Sequence, residues 1–277
     1  MIELEARAKI NLTLRVMGRR EDGYHEIETL IVPVGVADRV TVEEGNGFEF
    51  SCDDPTVPGD EGNLVVKAAR LFFRETGVKP GVRVGLEKRV PHGAGLGGGS
   101  SDAAAALRGL DEFYGTGLAR ERMMGMAAEL GSDVPVFVDG GAAWCRGRGE
   151  IVEGVEFPER LPVALLKPEF GVPTPWAYKM WAGSREREGV RYGAQEFGWG
   201  RLENDLERPV FEKYVALGAM KEWLREQPEV AGALMSGSGS TMFAVLREKG
   251  MGEGLGARAR EMFGEGLWVC ETEAGEV

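Results

Sequence analysis

Histidine and cysteine are scarce in this chain, with two and three among 277 residues. His25 and His92 lie far apart and Cys52, Cys145 and Cys270 contain no C-x-x-C, so neither a zinc site nor a disulfide framework is indicated. The thiols are expected to be reduced and at least partly packed. Carboxylates and phosphates could still hold a hard cation such as Mg²⁺. Excess positive charge is missing too. The formal net charge is −12, which argues against broad attraction to nucleic acid or an anionic membrane, although a nucleotide pocket needs only a local positive patch. No window approaches 18 apolar residues without charge, and Met1 to Glu5 lacks the basic and apolar regions of a signal peptide. The expectation is a soluble, cytoplasmic protein with no nucleic acid or membrane partner, either a monomer or a weak homodimer.

Glycine, in contrast, is abundant, at 42 residues without a fixed period. Its densest cluster is Pro91-His92-Gly93-Ala94-Gly95-Leu96-Gly97-Gly98-Gly99-Ser100-Ser101. Upstream, Val82, Val84, Leu86 and Val90 keep a period of two; downstream, Asp102-Ala103-Ala104-Ala105-Ala106-Leu107 is helix-forming, so the loop lies between strand and helix. Glycines admit close backbone approach, and the first helical turn offers unpartnered N–H groups at the positive end of the helix dipole. The natural guest is a phosphate chain. A Walker A loop is excluded, because no Lys follows Gly99. Gly93, Gly95 and Gly98 fit G-x-G-x-x-G, but a second helix, Arg120 to Leu130, follows where the dinucleotide fold needs a strand.

The first third reads as a small, largely antiparallel sheet. Leu4, Ala6, Ala8, Ile10, Leu12 and Leu14 form one face of a strand, and Arg7, Lys9, Asn11, Thr13 and Arg15 the other. A return strand is expected over 24–34, short strands over 40–42 and 48–50, and a helix capped by Asn63. A hairpin follows around Gly147-Arg148-Gly149. The break near Phe157-Pro158-Glu159 is the candidate boundary between a domain of residues 1–158 and one of 159–277. Beyond it the pattern predicts a strand at 163–166, a helix over 175–181, a Gly, Arg and Trp-rich loop over 183–200 with no assignable role, and helices over 203–226. Strands over 231–235, 242–246 and 267–270 and a helix over 254–263 complete an α+β composition.

Four groups carry candidate chemistry. Lys9 and Asn11 project side by side from one strand face, where an ordinary solvated face is the plainer alternative. In Gly131-Ser132-Asp133-Val134-Pro135, Asp133 is either a helix cap or a carboxylate able to accept a hydroxyl proton. Met235-Ser236-Gly237-Ser238-Gly239-Ser240-Thr241 is either a hairpin turn or the wall of a cleft facing the first glycine loop. Tyr24 and His25, with Thr174, Pro175, Trp176 and Tyr178, could stack on a base or simply pack.

Together these segments, with Ala8-Lys9-Ile10-Asn11-Leu12 at the start and Asp22-Gly23-Tyr24-His25 after it, resemble the GHMP family of small-molecule kinases in order and over most of the chain. The resemblance implies a two-domain α+β fold, with an N-terminal domain like ribosomal protein S5 domain 2, a ferredoxin-like C-terminal domain and an active site in the cleft. It implies ATP and Mg²⁺ as cofactors, Asp133 as catalytic base with Lys9 as its partner, and Pro91 to Ser101 as the phosphate cradle, with Ser101 a candidate Mg²⁺ ligand. Asn63 and Leu64 would lie along the adenine. Asn11, Tyr24, His25, Thr174, Pro175 and Tyr178, with Ser236, Gly237 and Ser238, would bind the acceptor, which the Asp-Gly-Tyr-His segment marks as a cytidine diphosphate derivative of methylerythritol. Homoserine, mevalonate and sugar kinases are the rivals within the family. A catalytically silent nucleotide-binding module and a dinucleotide oxidoreductase are the rivals outside it.

Overall fold

The computed structural model describes residues 1–275. Two long antiparallel strands, β1 (Ile2–Arg19) and β2 (His25–Glu44), form its spine. The expected strands at 24–34 and 40–42 are one strand, because Val40 and Val42 continue the pairing with Leu4 and Ile2 after irregularities in register. β3 (Phe48–Cys52) does not fold back on β2; it pairs parallel with β4 (Val82–Glu87), which itself pairs with β2. Between them runs α1 (Leu64–Thr76), started by Asn63, whose side chain accepts from Val65 N at 2.8 Å and ended by Gly77 in the left-handed region.

After β4 comes the glycine loop and then α2 (Gly98–Tyr114). The helix starts four residues earlier than expected, so Gly98, Gly99, Ser100 and Ser101 are its first turn. Gly97, at φ 71°, is the N-cap and supplies no side-chain bond. α3 (Arg120–Leu130), the short α4 (Val136–Asp139) and the hairpin β5 (Ala143–Gly147) and β6 (Ile151–Gly154) complete this lobe. A core of Val40, Val65, Phe72, Val84, Leu107 and Leu110 packs α1 and α2 onto the sheet. Burying one such side chain contributes roughly 1.5–3 kcal/mol.

The second lobe contains β7 (Arg160–Lys167), α5 (Thr174–Trp181), β8 (Gln195–Phe197), β9 (Gly200–Asn204), α6 (Glu207–Lys213), α7 (Val215–Glu226), β10 (Val230–Met235), β11 (Met242–Leu246), α8 (Gly252–Phe263) and β12 (Trp268–Gly275). The expected loop over 183–200 thus holds a strand, and 203–204 are strand and not helix: β9 pairs parallel with β1, Thr13 opposite Glu203. β12 runs five residues past Cys270, because its end reaches Val34 of β2 and joins the lobes edge to edge. The sheet order β10-β11-β7-β12-β2-β1-β9-β8 is therefore continuous. A core of Val210, Phe211, Leu217, Leu224 and Ala244 packs the helices of this lobe onto its strands, and a third core of Ala8, Ile10, Leu12, Val32, Leu165 and Phe243 fills the space between lobes.

That core covers one face of β1. The other face is not solvated as its polar residues suggested: Lys9 and Asn11 are each 3% exposed, because the two glycine-rich loops lie against them, and the register shift after Asn11 brings Leu14, not Thr13, to their side. Among the described residues no helix is long and apolar enough to cross a membrane. Cys145 is buried and Cys52 and Cys270 half-buried, all as free thiols.

Candidate active site

The two glycine-rich loops meet. Thr241 N donates to Ala94 O at 3.1 Å and Ser236 Oγ donates to Gly95 O at 2.9 Å. Gly95 has φ 75°, and a Cβ there would collide with the Ser236 carbonyl oxygen, so both conformation and space require glycine. At Gly97 a Cβ would lie 2.6 Å from the Phe137 ring and 3.2 Å from Lys9 Cε. The loop is therefore pressed against β1, and Lys9 N donates to Leu96 O at 3.0 Å.

Lys9 Nζ donates to Gly95 O at 2.9 Å and to Asn11 Oδ1 at 2.6 Å, and Asn11 Nδ2 donates to Thr29 Oγ1 at 2.7 Å. Thr29 in turn donates to Thr13 O at 2.5 Å. The chain of donors fixes the Asn11 amide so that its oxygen faces the ammonium. Burial pushes the Lys9 pKa below its ordinary range, and the Asp133 charge pulls it back up only in part. Cys145, close enough to feel both groups, is pushed up to about 12 by burial.

Asp133 stands in the turn before α4. That helix begins after Pro135 without a side-chain cap bond, and the Asp133 carboxylate opens instead onto a cavity of about 1030 Å³ between the lobes. Lys9 and Asn11 line the same cavity, as do Leu64, Pro91 to Gly95 and Gly97 to Ser100. So do Tyr24, His25, Thr174, Pro175, Tyr178, Gly237 and Ser238. The residues expected to catalyse or bind are thus brought to one space, with four exceptions, while Trp176 packs against Tyr214 instead. Asn63 is buried as the α1 cap, Leu96 belongs to the core between lobes, and Ser236 is buried beneath Gly95. Ser101, whose N–H makes the first helical bond to Gly97 O, turns toward β1 into a smaller cavity of about 260 Å³ with Arg7 and Arg108. It does not line the large cavity in which it was expected as a Mg²⁺ ligand.

One end of the cavity is made of backbone. Ser101 N is the first amide of α2 bonded within the helix, which leaves the N–H groups of Gly98, Gly99 and Ser100 for a ligand at the positive end of the dipole. The helix start is braced from behind by a buried cluster absent from the sequence reading. Lys88 Nζ pairs with Asp38 and donates to Asp102 Oδ2 at 2.9 Å, while Asp38 Oδ1 accepts from Arg89 N and Val90 N at 2.6 and 2.8 Å. Burial drives Asp102 up, with Lys88 drawing it down and Asp38 adding to the rise. Nothing in the spacing of Asp38, Lys88 and Asp102 announces the cluster, since β2 and β4 must pair before the three meet.

The other end is made of side chains. His25 stacks on Tyr178 with ring centroids 5.5 Å apart and an interplanar angle of 28°, and meets Trp181 edge-on at 6.1 Å. Arg148 lies over the Tyr24 ring at 4.7 Å. Burial, with Arg19 beside it, lowers the His25 pKa, and burial and the Asp133 charge raise that of the Tyr178 hydroxyl. Both are neutral near pH 7. Arg19, Arg148, Lys179 and Lys9 against Asp22 and Asp133 make the cavity locally basic in a chain of net charge −12. Trp181, Arg148 and Thr29 escaped the sequence reading; a tryptophan one turn past Tyr178 was the available signal for the first.

This space offers amides for phosphates at one end, aromatic faces for a base at the other, and an ammonium and a carboxylate between. It holds no ready cation cage. Among the described residues no group of three or more His, Cys, Asp or Glu is gathered for a metal.

The chain matches the family profile described as GHMP kinases N terminal domain over residues 63–141 and that described as GHMP kinases C terminal over 193–264. It is 43% identical over 271 residues to a 4-diphosphocytidyl-2-C-methyl-D-erythritol kinase of Methylacidiphilum infernorum, covering 95% of this chain and 93% of the relative. A crystal structure of 4-(cytidine 5'-diphospho)-2C-methyl-D-erythritol kinase superposes with a TM-score of 0.81 at 35% identity, covering all of both chains. A homoserine kinase from Cytophaga hutchinsonii superposes with a TM-score of 0.66 at 16% identity, over 100% of this chain and 94% of that one, a likeness of fold alone.

Proposed function

The chain belongs to the GHMP kinases, in the branch of its 4-diphosphocytidyl-2-C-methyl-D-erythritol kinase relatives, and from that premise we propose that it transfers the γ-phosphoryl group of ATP to the 2-hydroxyl of 4-diphosphocytidyl-2-C-methyl-D-erythritol. The products are the 2-phosphate and ADP, a step of the non-mevalonate route to isoprenoid precursors. The observation that carries the reading is the order of groups along one cavity: free α2 amides, then Lys9 and Asp133, then the His25 and Tyr178 rings. The donor substrate is ATP with its own Mg²⁺. The helix start holds its phosphates, and Leu64 lines the neighbouring wall.

Asp133, exposed to the cavity, takes the proton of the attacking hydroxyl, which contributes about 10²–10⁴ in rate for a positioned base. Lys9 faces the transferring group as a cation, held by Gly95 O and Asn11 Oδ1, and offsets the charge that develops on it. His25 and Tyr178 take the cytosine, Tyr24 closes over it, and Thr174, Pro175 and Ser238 border the acceptor, with the Thr174 hydroxyl 2.7 Å from that of Ser238. The same reading divides the lobes at 158/159 and makes the enzyme cytoplasmic, a monomer or weak homodimer, without nucleic acid or membrane partners.

The test is ADP release from ATP with the cytidine acceptor, mevalonate and homoserine in parallel. Release with the first alone is expected, and release with either of the others instead overturns the acceptor assignment. Asp133→Ala should abolish turnover and leave ATP binding intact; near-normal turnover by the folded variant overturns the role of Asp133.

A further inference from the structure

Asn204 closes β9, and its side-chain amide is buried. The backbone around it is tied to β1: Leu14 lies opposite Asn204, Asp205 N donates to Leu14 O at 2.9 Å, and Asp205 Oδ2 accepts from Val16 N at 2.7 Å. The amide is thereby fixed relative to the strand that carries Lys9. From this place Asn204 Nδ2 donates to Met235 O at 2.7 Å and to Gly237 O at 2.8 Å, and Oδ1 accepts from Leu206 N at 2.9 Å. One turn on, Glu207 Oε1 accepts from Met235 N at 3.0 Å, and Lys221 neutralises its other oxygen. The outer side of the same stretch meets the reacting groups. Ser236 Oγ and Lys9 Nζ both donate to Gly95 O at 2.9 Å, and a Cβ on Gly237 would lie 3.4 Å from Lys9 Nζ.

We infer that Asn204 is a positioning residue for phosphoryl transfer: its two N–H donors hold residues 235–237 where they seat the Gly95 carbonyl, and through it the Lys9 ammonium. The inference rests on the reading of Lys9 as a catalytic group. An amide is required because only an uncharged group with two donors and an acceptor satisfies two carbonyls and one N–H at once. Aspartate keeps the acceptor for Leu206 N but puts a charged oxygen in place of the donor that faces both carbonyls. Serine also serves as acceptor, without charge, but its shorter side chain has a single O–H donor and cannot hold both carbonyls.

The experiment measures kcat and both KM values for Asn204→Asp, Asn204→Ser, Lys9→Ala and Lys9→Ala/Asn204→Ser, with thermal unfolding recorded for each. Displacing a reacting group by about 1 Å costs on the order of 100-fold, so Asn204→Asp should lower kcat by about that factor with either KM changed less than about threefold. Asn204→Ser should lower kcat roughly tenfold, and it carries the test if the aspartate variant does not fold. In the Lys9→Ala background the serine substitution should change kcat by less than about twofold, because the group it misplaces is gone. Wild-type kcat in folded Asn204→Ser, or an undiminished loss in the Lys9→Ala background, overturns the inference and leaves the role of Lys9 standing. Near-normal kcat in Lys9→Ala overturns both.

Discussion

The two glycine-rich loops have similar compositions and opposite backbones. In the first, the chain enters a helix after Gly97, and the amides of Gly98, Gly99 and Ser100 are left without helical partners. In the second, the chain enters a strand and the amides turn inward: Ser236 N donates to Thr241 O and Gly239 N to Ser236 O, each at 2.9 Å. One loop presents donors to a ligand, and the other is a rigid wall that presses on the first. Small residues serve different ends in the two, close approach of a phosphate in one and close approach of another backbone in the other. Each is braced from behind by a buried ion group, Lys88 with Asp38 and Asp102 for the first, Glu207 with Lys221 for the second.

The largest effect should come from breaking a brace. Lys88→Met leaves two buried carboxylates without their cation, which costs about 3–5 kcal/mol, and Lys221→Met does the same to Glu207. Unfolding in urea should show both losses, and Lys88→Met/Asp102→Asn should recover part of the first. ATP KM separates the two braces: it should rise for Lys88→Met and stay near wild type for Lys221→Met in the remaining folded protein. Gly95→Ala comes next. The left-handed conformation costs about 1–2 kcal/mol and the collision with Ser236 O about 1–3 more, and turnover should fall with stability, since Lys9 loses its carbonyl seat.

Gly99→Ala sharpens the contrast, because there folding and function should part. Gly99 lies in the first turn of α2 at an ordinary φ, with nothing nearer its Cβ than Leu64 at 3.9 Å. Alanine should hold or raise stability, by up to about 1 kcal/mol. A methyl group on the phosphate cradle should still raise ATP KM about tenfold, a loss of about 1.4 kcal/mol, with acceptor KM unchanged. An unchanged ATP KM would place the phosphates elsewhere.

What was legible in the sequence divides along the same line. The first loop could be read because strand, glycines and helix are consecutive, so its anion-binding character is local. The second could be read only as an alternative between turn and wall, because its partner, Gly95, is 141 residues away from Ser236. Period two correctly grouped Lys9 and Asn11, but the register shift after Asn11 exchanges the sides of Thr13 and Leu14, and the burial of the pair depends on the two glycine-rich loops closing over it; no pattern within β1 reports either. Asn204 lay where helix was expected, since a five-residue strand with one apolar inward position, Leu202, has too little alternation to detect. The family resemblance supplied the roles of Lys9 and Asp133, which the residues alone left open against a solvated face and a helix cap.

The smallest effect joins both loops through Lys9 and is a matter of pH. Burial holds the Lys9 pKa below the ordinary 10.5 despite the pull of Asp133, so turnover should decline as pH rises through that lowered value. The sign for stability is opposite. Between the lowered value and 10.5 the unfolded chain binds the proton that the folded chain has released, so this group's contribution to stability rises with pH across that window. A decline in kcat with no parallel drop in the unfolding midpoint therefore identifies loss of the cation and not loss of the fold. Lys9→Arg moves no proton in this range, and whatever turnover it retains should be flat where the wild type declines. If the alkaline limb persists unchanged in Lys9→Arg, the ammonium between the two loops is not the titrating group.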